Sequence, residues 1–286
     1  MPSVSVSKDA QTELVMPTRA RPFLKWAGGK FRVLDEILPR LPVGKRLIEP
    51  FAGSAAVAIN AGYEKALVSD LNPHLIELYE AVRDNASEFI AEGKATFANA
   101  NTREAFDSLR AEFNTTTDPF RRAVLFVYLN RHGFNGLCRY NGRGKFNVPF
   151  GRYKGPKFPE REVLEFSKRT QSFEFHCESF EDAMKRATEG DVIYCDPPYV
   201  PLSATSNFTS YAKEGFGFPH QKRLAEVARE SAQRGIAVLI SNHDTADARA
   251  LYRGAEIQSF AVRRFISSKA STRGNAQELL AIFRPQ

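Results

Sequence analysis

The chain has 286 residues, 40 Lys and Arg against 33 Asp and Glu, a net charge of +7, and 43% hydrophobic residues. This is the composition of a soluble globular chain with a sizeable core, and it excludes fibrous or disordered polymers. The longest apolar run, Ala123–Leu129, is too short to span a bilayer, and the N-terminus lacks the basic-then-apolar order of a signal peptide.

Cys138, Cys177 and Cys195 are odd in number and have no metal-ligand spacing, which points to thiols in a reducing compartment and to no metal site. Residues 1–20 are polar and aperiodic and are expected to form a flexible tail. Phe23-Leu24-Lys25-Trp26-Ala27-Gly28-Gly29-Lys30 sets the only Trp beside a Gly-Gly turn flanked by lysines, ahead of a helix predicted over Lys30–Leu38. The spacing is not that of a phosphate loop. A small zwitterion suits it better, with Lys30 meeting a carboxylate and Trp26 an apolar or cationic group.

A strand over Arg46–Glu49 runs into Pro50-Phe51-Ala52-Gly53-Ser54, a small-residue turn, and then a helix predicted over Ala55–Gly62. Gly53 would let the backbone pass close to a ligand, and the helix start would present N–H groups. The next strand, Ala66–Asp70, ends on a carboxylate placed to bind ribose hydroxyls by the logic of Rossmann sheets. The full Gly-x-Gly-x-x-Gly pattern is missing, so a dinucleotide is disfavoured. A tight βα turn beside an exposed acid would leave the same trace.

Helical periodicity over Pro73–Glu92, Arg103–Phe113 and Pro119–Arg131 then breaks the alternation of strand and helix, and Gly133–Gly155 has no strong period. From Pro119 to Pro159 there is no Asp or Glu, but nine cations: Arg121, Arg122, Arg131, Arg139, Arg143, Lys145, Arg152, Lys154 and Lys157. So one-sided a field is a footprint for polyanions. Phe134, Tyr140, Phe146, Phe150, Tyr153 and Phe158 are interleaved with it. Stacking of a base on an aromatic contributes ~1–3 kcal/mol, so the mixture favours a nucleic acid. Residues 73–159 are therefore read as a mainly helical insertion that carries a recognition loop, within an α/β unit formed by 21–72 and 160–286.

Beyond the insertion, helices are predicted over Glu160–Lys168, Ser179–Ala187, Gln221–Arg234 and Thr245–Tyr252, with strands over Asp191–Cys195, Ile236–Ser241 and Glu278–Phe283. Alternation of this kind predicts a mainly parallel α/β sheet. The buried run Val192-Ile193-Tyr194-Cys195 leads directly into Asp196-Pro197-Pro198-Tyr199. The prolines fix their own φ and hold the residues before them extended. The block thus projects Asp196 and Tyr199 stiffly from a strand end, where a carboxylate and a carbonyl can take the two hydrogens of an amine and Tyr199 can stack on a flat ring. A plain turn after a strand is the alternative. Cys195, on the buried strand, is read as packing.

Phe23–Lys30, Glu49–Gly53, Asp196–Tyr199 and the tail from Arg263 through Arg273 to Ala281 resemble the Dam family of DNA adenine-N6 methyltransferases. Asn130–Asn141 and Phe146–Tyr153 are similar to the family's target-recognition hairpin, and Pro201–Tyr211 and Ser241–Asp244 match as well. The resemblance covers nearly the whole chain from residue 21. It implies a Rossmann-like S-adenosylmethionine-dependent methyltransferase sheet with an inserted, mainly helical target-recognition domain. It further implies S-adenosyl-L-methionine as methyl donor, the adenine of GATC in double-stranded DNA as target, base flipping, and a monomer in the bacterial or phage-infected cytoplasm. By position, Trp26, Lys30, Phe51, Gly53, Asp70, Leu71, Phe180 and Asp196 would line the cofactor site, and Asp196, Pro197, Pro198 and Tyr199 would carry the chemistry. Lys25, Leu137, Arg139 and Pro149 would read bases, and Phe134 and Asn135 would fill or brace the gap left by the flipped base. Tyr153, Ser203, Thr205, Asn207, Ser267 and Arg273 would hold phosphates or the hairpin, and Arg131, Asn147 and Lys154 would also bind DNA. Phe134 stands where familiar members have Tyr, and Phe265 where Ser is usual. Methylation of RNA or of glutamine, and DNA binding without catalysis, are the competing readings.

Overall fold

Alternating buried strands and helices gather into one sheet, as their apolar patterning predicts. The computed structural model describes residues 19–98, 100–199, 216–263 and 275–286. Among them the strands are β1 (Arg46–Glu49), β2 (Lys65–Asp70), β3 (Phe173–Cys177), β4 (Asp191–Cys195), β5 (Ala237–His243), β6 (Glu256–Arg263) and β7 (Asn275–Phe283). Their order is β3-β2-β1-β4-β5-β7-β6. The pairs from β3 to β5 are parallel, and β7 is antiparallel to both β5 and β6. This is a Rossmann-like, doubly wound sheet. The chain goes outward from β1 on one side and returns to β4 on the other, and such switch points are where α/β sheets place ligands.

The helices are α1 (Leu34–Ile37), α2 (Pro73–Asp84), α3 (Ala86–Phe97), α4 (Arg103–Phe113), α5 (Pro119–His132), α6 (Glu160–Arg169), α7 (Phe180–Lys185), α8 (Phe218–Gln233) and α9 (Ala246–Leu251). Local chemistry sets their starts. Asp118 accepts from the N–H groups of Phe120 and Arg121, and Pro119 occupies the first turn of α5, where no donor is missed.

Successive strand residues point to opposite faces. Leu47, Val68, Val192 and Tyr194 enter one core, and their neighbours Ile48, Leu67, Ile193 and Cys195 enter the other. The first core continues from Phe23 and Tyr79 through Phe89, Phe106 and Phe126 to Phe166, so the inserted helices share the interior of one sheet face. Met184 from α7, Leu224 from α8 and Tyr252, just past α9, cover the second face. Each large side chain so buried contributes about 1.5–3 kcal/mol.

Three expectations are corrected. The helix expected over Ala55–Gly62 is only a 3-10 turn at Ala58–Asn60, because Gly53 and Ala55 have positive φ and divert the chain. The helix expected over Pro73–Glu92 is two, α2 and α3, divided at Asn85 with φ −135° and ψ 42°. Strands β3 and β6, at the two sheet edges, were not expected, since both mix charged and apolar residues.

His132, near the end of α5, is fully buried and stacks on Tyr128 with ring centroids 4.1 Å apart. Its Nε2 has no partner among the described residues. Burial, with Lys25 and Arg131 nearby, lowers its pKa from 6.5 to about 4, against a raising contact with the Tyr128 carbonyl. Between those values the unfolded chain binds the extra proton, so this stabilisation is complete above the unfolded pKa and is lost as pH falls toward the folded one. Lowering the pH from about 7 to about 4.5 should therefore destabilise the wild type by roughly 1–2 kcal/mol more than His132→Phe. Denaturant melts of both proteins at the two pH values check this, and equal losses would remove His132 as the cause.

Candidate active site and nucleic-acid interface

The carboxyl ends of β1, β2, β4 and β5 converge on one edge. Register pairing of Ile48 with Ile193 and of Cys195 with Ile240 brings Glu49, Asp196 and Ser241 together there. Both oxygens of Asp196 are engaged: Ser241 Oγ donates to Oδ1 at 3.0 Å, and Lys30 Nζ stands 2.8 Å from Oδ2. Lys30 also donates to the Gly28 carbonyl at 2.6 Å, and its ammonium lies 4.7 Å from the centroid of the Tyr199 ring. Glu49 is buried and accepts from the Ala58 N–H at 2.9 Å. Burial pushes its carboxyl well above the usual range, and Asp196 adds to that push.

Tyr199 is fixed from the far side of the sheet. Its hydroxyl donates to Glu278 Oε2 at 3.0 Å, and its ring meets His243 edge-on at 4.6 Å. Burial, then Asp196 and Glu278, raise its phenol far above the usual range. Gln221 Nε2 donates to the Pro198 carbonyl at 2.6 Å. Gln221 Oε1 in turn accepts from Asn242 Nδ2 and from the Tyr252 hydroxyl, each at 3.2 Å, inside the protein. The rigidity expected from two prolines is thus completed by contacts from α8, β5 and β7. Sequence reading assigned no role to Ser241, Gln221, Asn242, His243 or Glu278. The matches of Ser241–Asp244 and of the tail to Ala281 to the family pattern include all of these but Gln221, without assigning any of them a role.

Beside this platform, Gly53 has φ +46°, and a Cβ there would stand 2.8 Å from Trp26 Nε1, so the position requires glycine. The Gly53 N–H donates to Asp70 Oδ2 at 3.2 Å, and the Tyr79 hydroxyl donates to the Gly53 carbonyl. Asp70 Oδ1 accepts from the Asn72 N–H at 3.0 Å. Burial raises the Asp70 carboxyl, and these N–H contacts hold it down in part. Phe51 stacks on Phe180 with centroids 5.6 Å apart, and Phe216 meets both rings. Leu71 is exposed. The expected helix-terminal N–H groups are absent, because the helix is; the Ala58 N–H instead turns inward to Glu49.

Asn130 ties the N-terminal loop to the hairpin: its side chain accepts from the Lys25 N–H at 2.9 Å and donates to the carbonyls of Lys25 and Gly136. Lys25 Nζ donates to the Arg131 carbonyl at 3.2 Å and lies 4.1 Å from the Tyr153 ring centroid. Burial, with Arg131 close by, lowers its pKa. Arg131 itself is half-buried, with Nε unpartnered among the described residues. Phe134 is exposed, and its N–H donates to the Pro149 carbonyl. Asn135 has φ +54°, and its N–H donates to the Tyr153 hydroxyl at 2.8 Å. The hairpin is narrow, closed by bridges between Gly133 and Phe150 and between Tyr140 and Phe146. Across it, the exposed Arg139 donates from Nε to Asn147 Oδ1 at 2.8 Å and from Nη2 to the Asn147 carbonyl at 3.2 Å. Leu137 packs partly on the core, while Pro149 and Lys154 are exposed. Ser203, Thr205, Asn207, Phe265, Ser267 and Arg273 lie outside the described residues.

The basic footprint is narrower than composition suggests. Arg121 pairs with Glu92 and Glu112, and Arg122 with Glu77, so neither is available to a polyanion. The interleaved aromatics are also mostly structural. Phe146 is buried, and Tyr140, Phe150 and Phe158 pack against the core, so Phe134 is the exposed ring of that set. The exposed cations are Arg139, Arg143, Lys145, Arg152, Lys154 and Lys157, all on the segment from the hairpin onward.

Residues 26–266 match the D12 class N6 adenine-specific DNA methyltransferase family. The chain is 50% identical over 266 residues to a DNA adenine methylase of Salmonella typhi and to one of Escherichia coli K12, in each case covering 93% of this chain and 96% of the relative. A DNA adenine methylase of Vibrio cholerae is 46% identical over 269 residues, covering 93% and 97%. A solved C-terminal domain of precorrin-6Y C5,15-methyltransferase from Rhodobacter capsulatus is far more distant, with 8% identity, a TM-score of 0.40, and 93% and 97% coverage. The long family match and the near-complete overlap with curated relatives establish that the chain belongs to the D12 class of N6 adenine-specific DNA methyltransferases, enzymes that place a methyl group site-specifically on adenine in DNA.

Proposed function

We propose that the enzyme takes its methyl group from S-adenosylmethionine and delivers it to an adenine extruded from duplex DNA at GATC. The observation that carries this reading is the platform Asp196–Tyr199, a carboxylate and an aromatic ring each clamped by side chains from other elements. The donor's chemistry fits the neighbouring residues: Lys30 for its carboxylate, Asp70 for ribose hydroxyls, and the Phe51 and Phe180 rings, with Trp26, for its apolar and ring surfaces. When bound, the donor supplies a methyl group already activated by a positive sulfur.

An adenine inside the duplex cannot reach such a site and must be flipped out, which costs a few kcal/mol. The Tyr199 ring stacks on it. The adenine amine is a poor nucleophile because its lone pair is delocalised into the ring. A carboxylate offers about four acceptor sites, so Asp196 can hold an amine hydrogen beside the Ser241 hydroxyl. Asp196 takes one amine hydrogen and the Pro197 carbonyl the other, since Gln221 already holds that of Pro198. The nitrogen is thereby pyramidalised with its lone pair directed outward, and positioning provides much of the rate.

Residues 73–159 act as the target-recognition part, with Arg139 on a guanine edge, Lys25, Leu137 and Pro149 at bases, and Phe134 with Asn135 at the gap. The family resemblance of the hairpin supports GATC, and the relatives, named DNA adenine methylases, support adenine as the target base. Lys154, exposed and without an ion pair among the described residues, is assigned a phosphate. Lys154→Ala should therefore weaken all DNA sequences alike and lower the salt slope by about 0.9. Fluorescence anisotropy on cognate and scrambled duplexes at graded salt reads both quantities, and a loss confined to cognate DNA would reassign Lys154 to base reading. Tritium transfer from labelled S-adenosylmethionine to GATC duplex, permuted duplex, single strand and RNA tests the whole reading. Equal labelling of GATC and permuted duplexes would overturn the assigned target.

A further inference from the structure

The Lys30 ammonium makes two contacts that the proposed mechanism reserves for the target base. It hydrogen-bonds the Asp196 carboxylate, at 2.8 Å from Oδ2, where the adenine amine would donate. It also stands 4.7 Å from the centroid of the Tyr199 ring, where the adenine ring would stack. A cation over an aromatic face substitutes for stacking, and an ammonium N–H for an amine N–H. The lysine side chain is only 7% exposed and that of Asp196 20%, so the pair is shielded from solvent.

We propose that Lys30 is a positioning residue that occupies the base platform until the cofactor's carboxylate draws it off Asp196, so that cofactor binding opens the site to the flipped adenine. This rests on the assignment of Asp196 and Tyr199 as the base platform. The exchange follows from charge compensation. A neutral amine that displaced the ammonium would leave a shielded cation without a counter-ion, which is strongly unfavourable. Glu49 is committed elsewhere: it accepts from the Ala58 N–H at 2.9 Å and makes no ion pair with Lys30 among the described residues. An incoming carboxylate does relieve it. Lys30 begins the turn after Gly28-Gly29 and carries a flexible four-carbon stem, so the head can move while the backbone stays.

The test reads occupancy of the Tyr199 ring with duplex DNA carrying 2-aminopurine at the target position, whose fluorescence rises when the base leaves the stack, and reads methylation on the same duplex with adenine there. With wild-type enzyme, S-adenosylhomocysteine, which keeps the carboxylate but cannot donate methyl, should raise the signal severalfold over enzyme and DNA alone. Methylthioadenosine, which lacks the carboxylate, should raise it little even at saturation. Lys30→Met should give the raised signal with no cofactor and should bind S-adenosylhomocysteine more weakly. Full extrusion by wild-type enzyme without cofactor, or an equal rise with methylthioadenosine, would overturn the proposal without any variant. Tyr199→Ala separates the two levels. If it changes neither the 2-aminopurine signal nor methylation, the platform assignment itself fails. If it changes both while wild-type extrusion ignores the carboxylate, only the role of Lys30 fails.

Discussion

Asp196→Ala should lower methyl transfer by roughly 10³-fold, within the range removed with a group that handles a reacting proton. The amine sheds one proton as it gains the methyl, and the Asp196 carboxylate beside it is the acceptor we assign. Binding of S-adenosylhomocysteine should stay within severalfold, because the cofactor contacts assigned to Gly53, Asp70, Phe51 and Phe180 are untouched. The alanine variant also strips Lys30 of its counter-ion, leaving it the Gly28 carbonyl as acceptor among the described residues. Breaking one side of a shielded pair costs about 3–5 kcal/mol of stability, so part of any loss could come from unfolding. Asp196→Asn separates the effects. The amide keeps an acceptor for the adenine amine and for Lys30, but neutral hydrogen bonds are about half as strong as charge-assisted ones. A loss of about tenfold is expected for Asn, far smaller than for Ala. Single-turnover methylation under saturating DNA, beside thermal melts of both variants, makes the comparison. Near-normal turnover in Asp196→Ala would take the carboxylate out of the reaction.

The Asp196 block was legible because everything needed to see it is contiguous: a buried strand, an acid, two prolines and an aromatic. β1, β4 and α4 were legible at their observed bounds for similar reasons, since short apolar runs bounded by turn residues, or a helical period after a capping Thr102, carry their own limits. What holds the block in place was not legible. Ser241, Gln221 and Glu278 come from β5, α8 and β7, and a linear sequence gives no sign that a glutamine in an ordinary amphipathic helix will face a proline carbonyl. β3 was missed because Phe173-Glu174-Phe175-His176-Cys177 is an edge strand with one face partly open to solvent. Charge was over-read for the same reason. Arg121 and Arg122 looked like footprint within an acid-free stretch, but Glu77, Glu92 and Glu112 reach them from neighbouring helices. The left-handed Ala55 defeated the helix prediction after Gly53, because alanine is the strongest helix former and its positive φ leaves no mark in the sequence.

Arg139→Ala should cost about 1–3 kcal/mol of discrimination at a single base pair of the target, which is what one bidentate arginine–guanine contact provides. The geometry makes this a sharper expectation than the residue type alone. Nε and one Nη2 hydrogen are taken by Asn147, which holds the guanidinium plane across the hairpin. A guanidinium has five N–H donors, so three remain, enough for the O6 and N7 acceptors of one guanine. Asn147→Ala removes the Oδ1 contact and keeps the carbonyl one, so the fork should be held less firmly and the same base pair relaxed by about 1 kcal/mol, the net worth of an ordinary hydrogen bond. Both variants should keep their preference at the other positions. kcat/KM for methylation of duplexes changed one base pair at a time gives the pattern directly. Uniform weakening across all duplexes would mean that Arg139 grips a phosphate, as Lys154 is expected to do. Relaxation at one position in Arg139→Ala with none in Asn147→Ala would mean that the fork orients itself on the DNA without help from the hairpin.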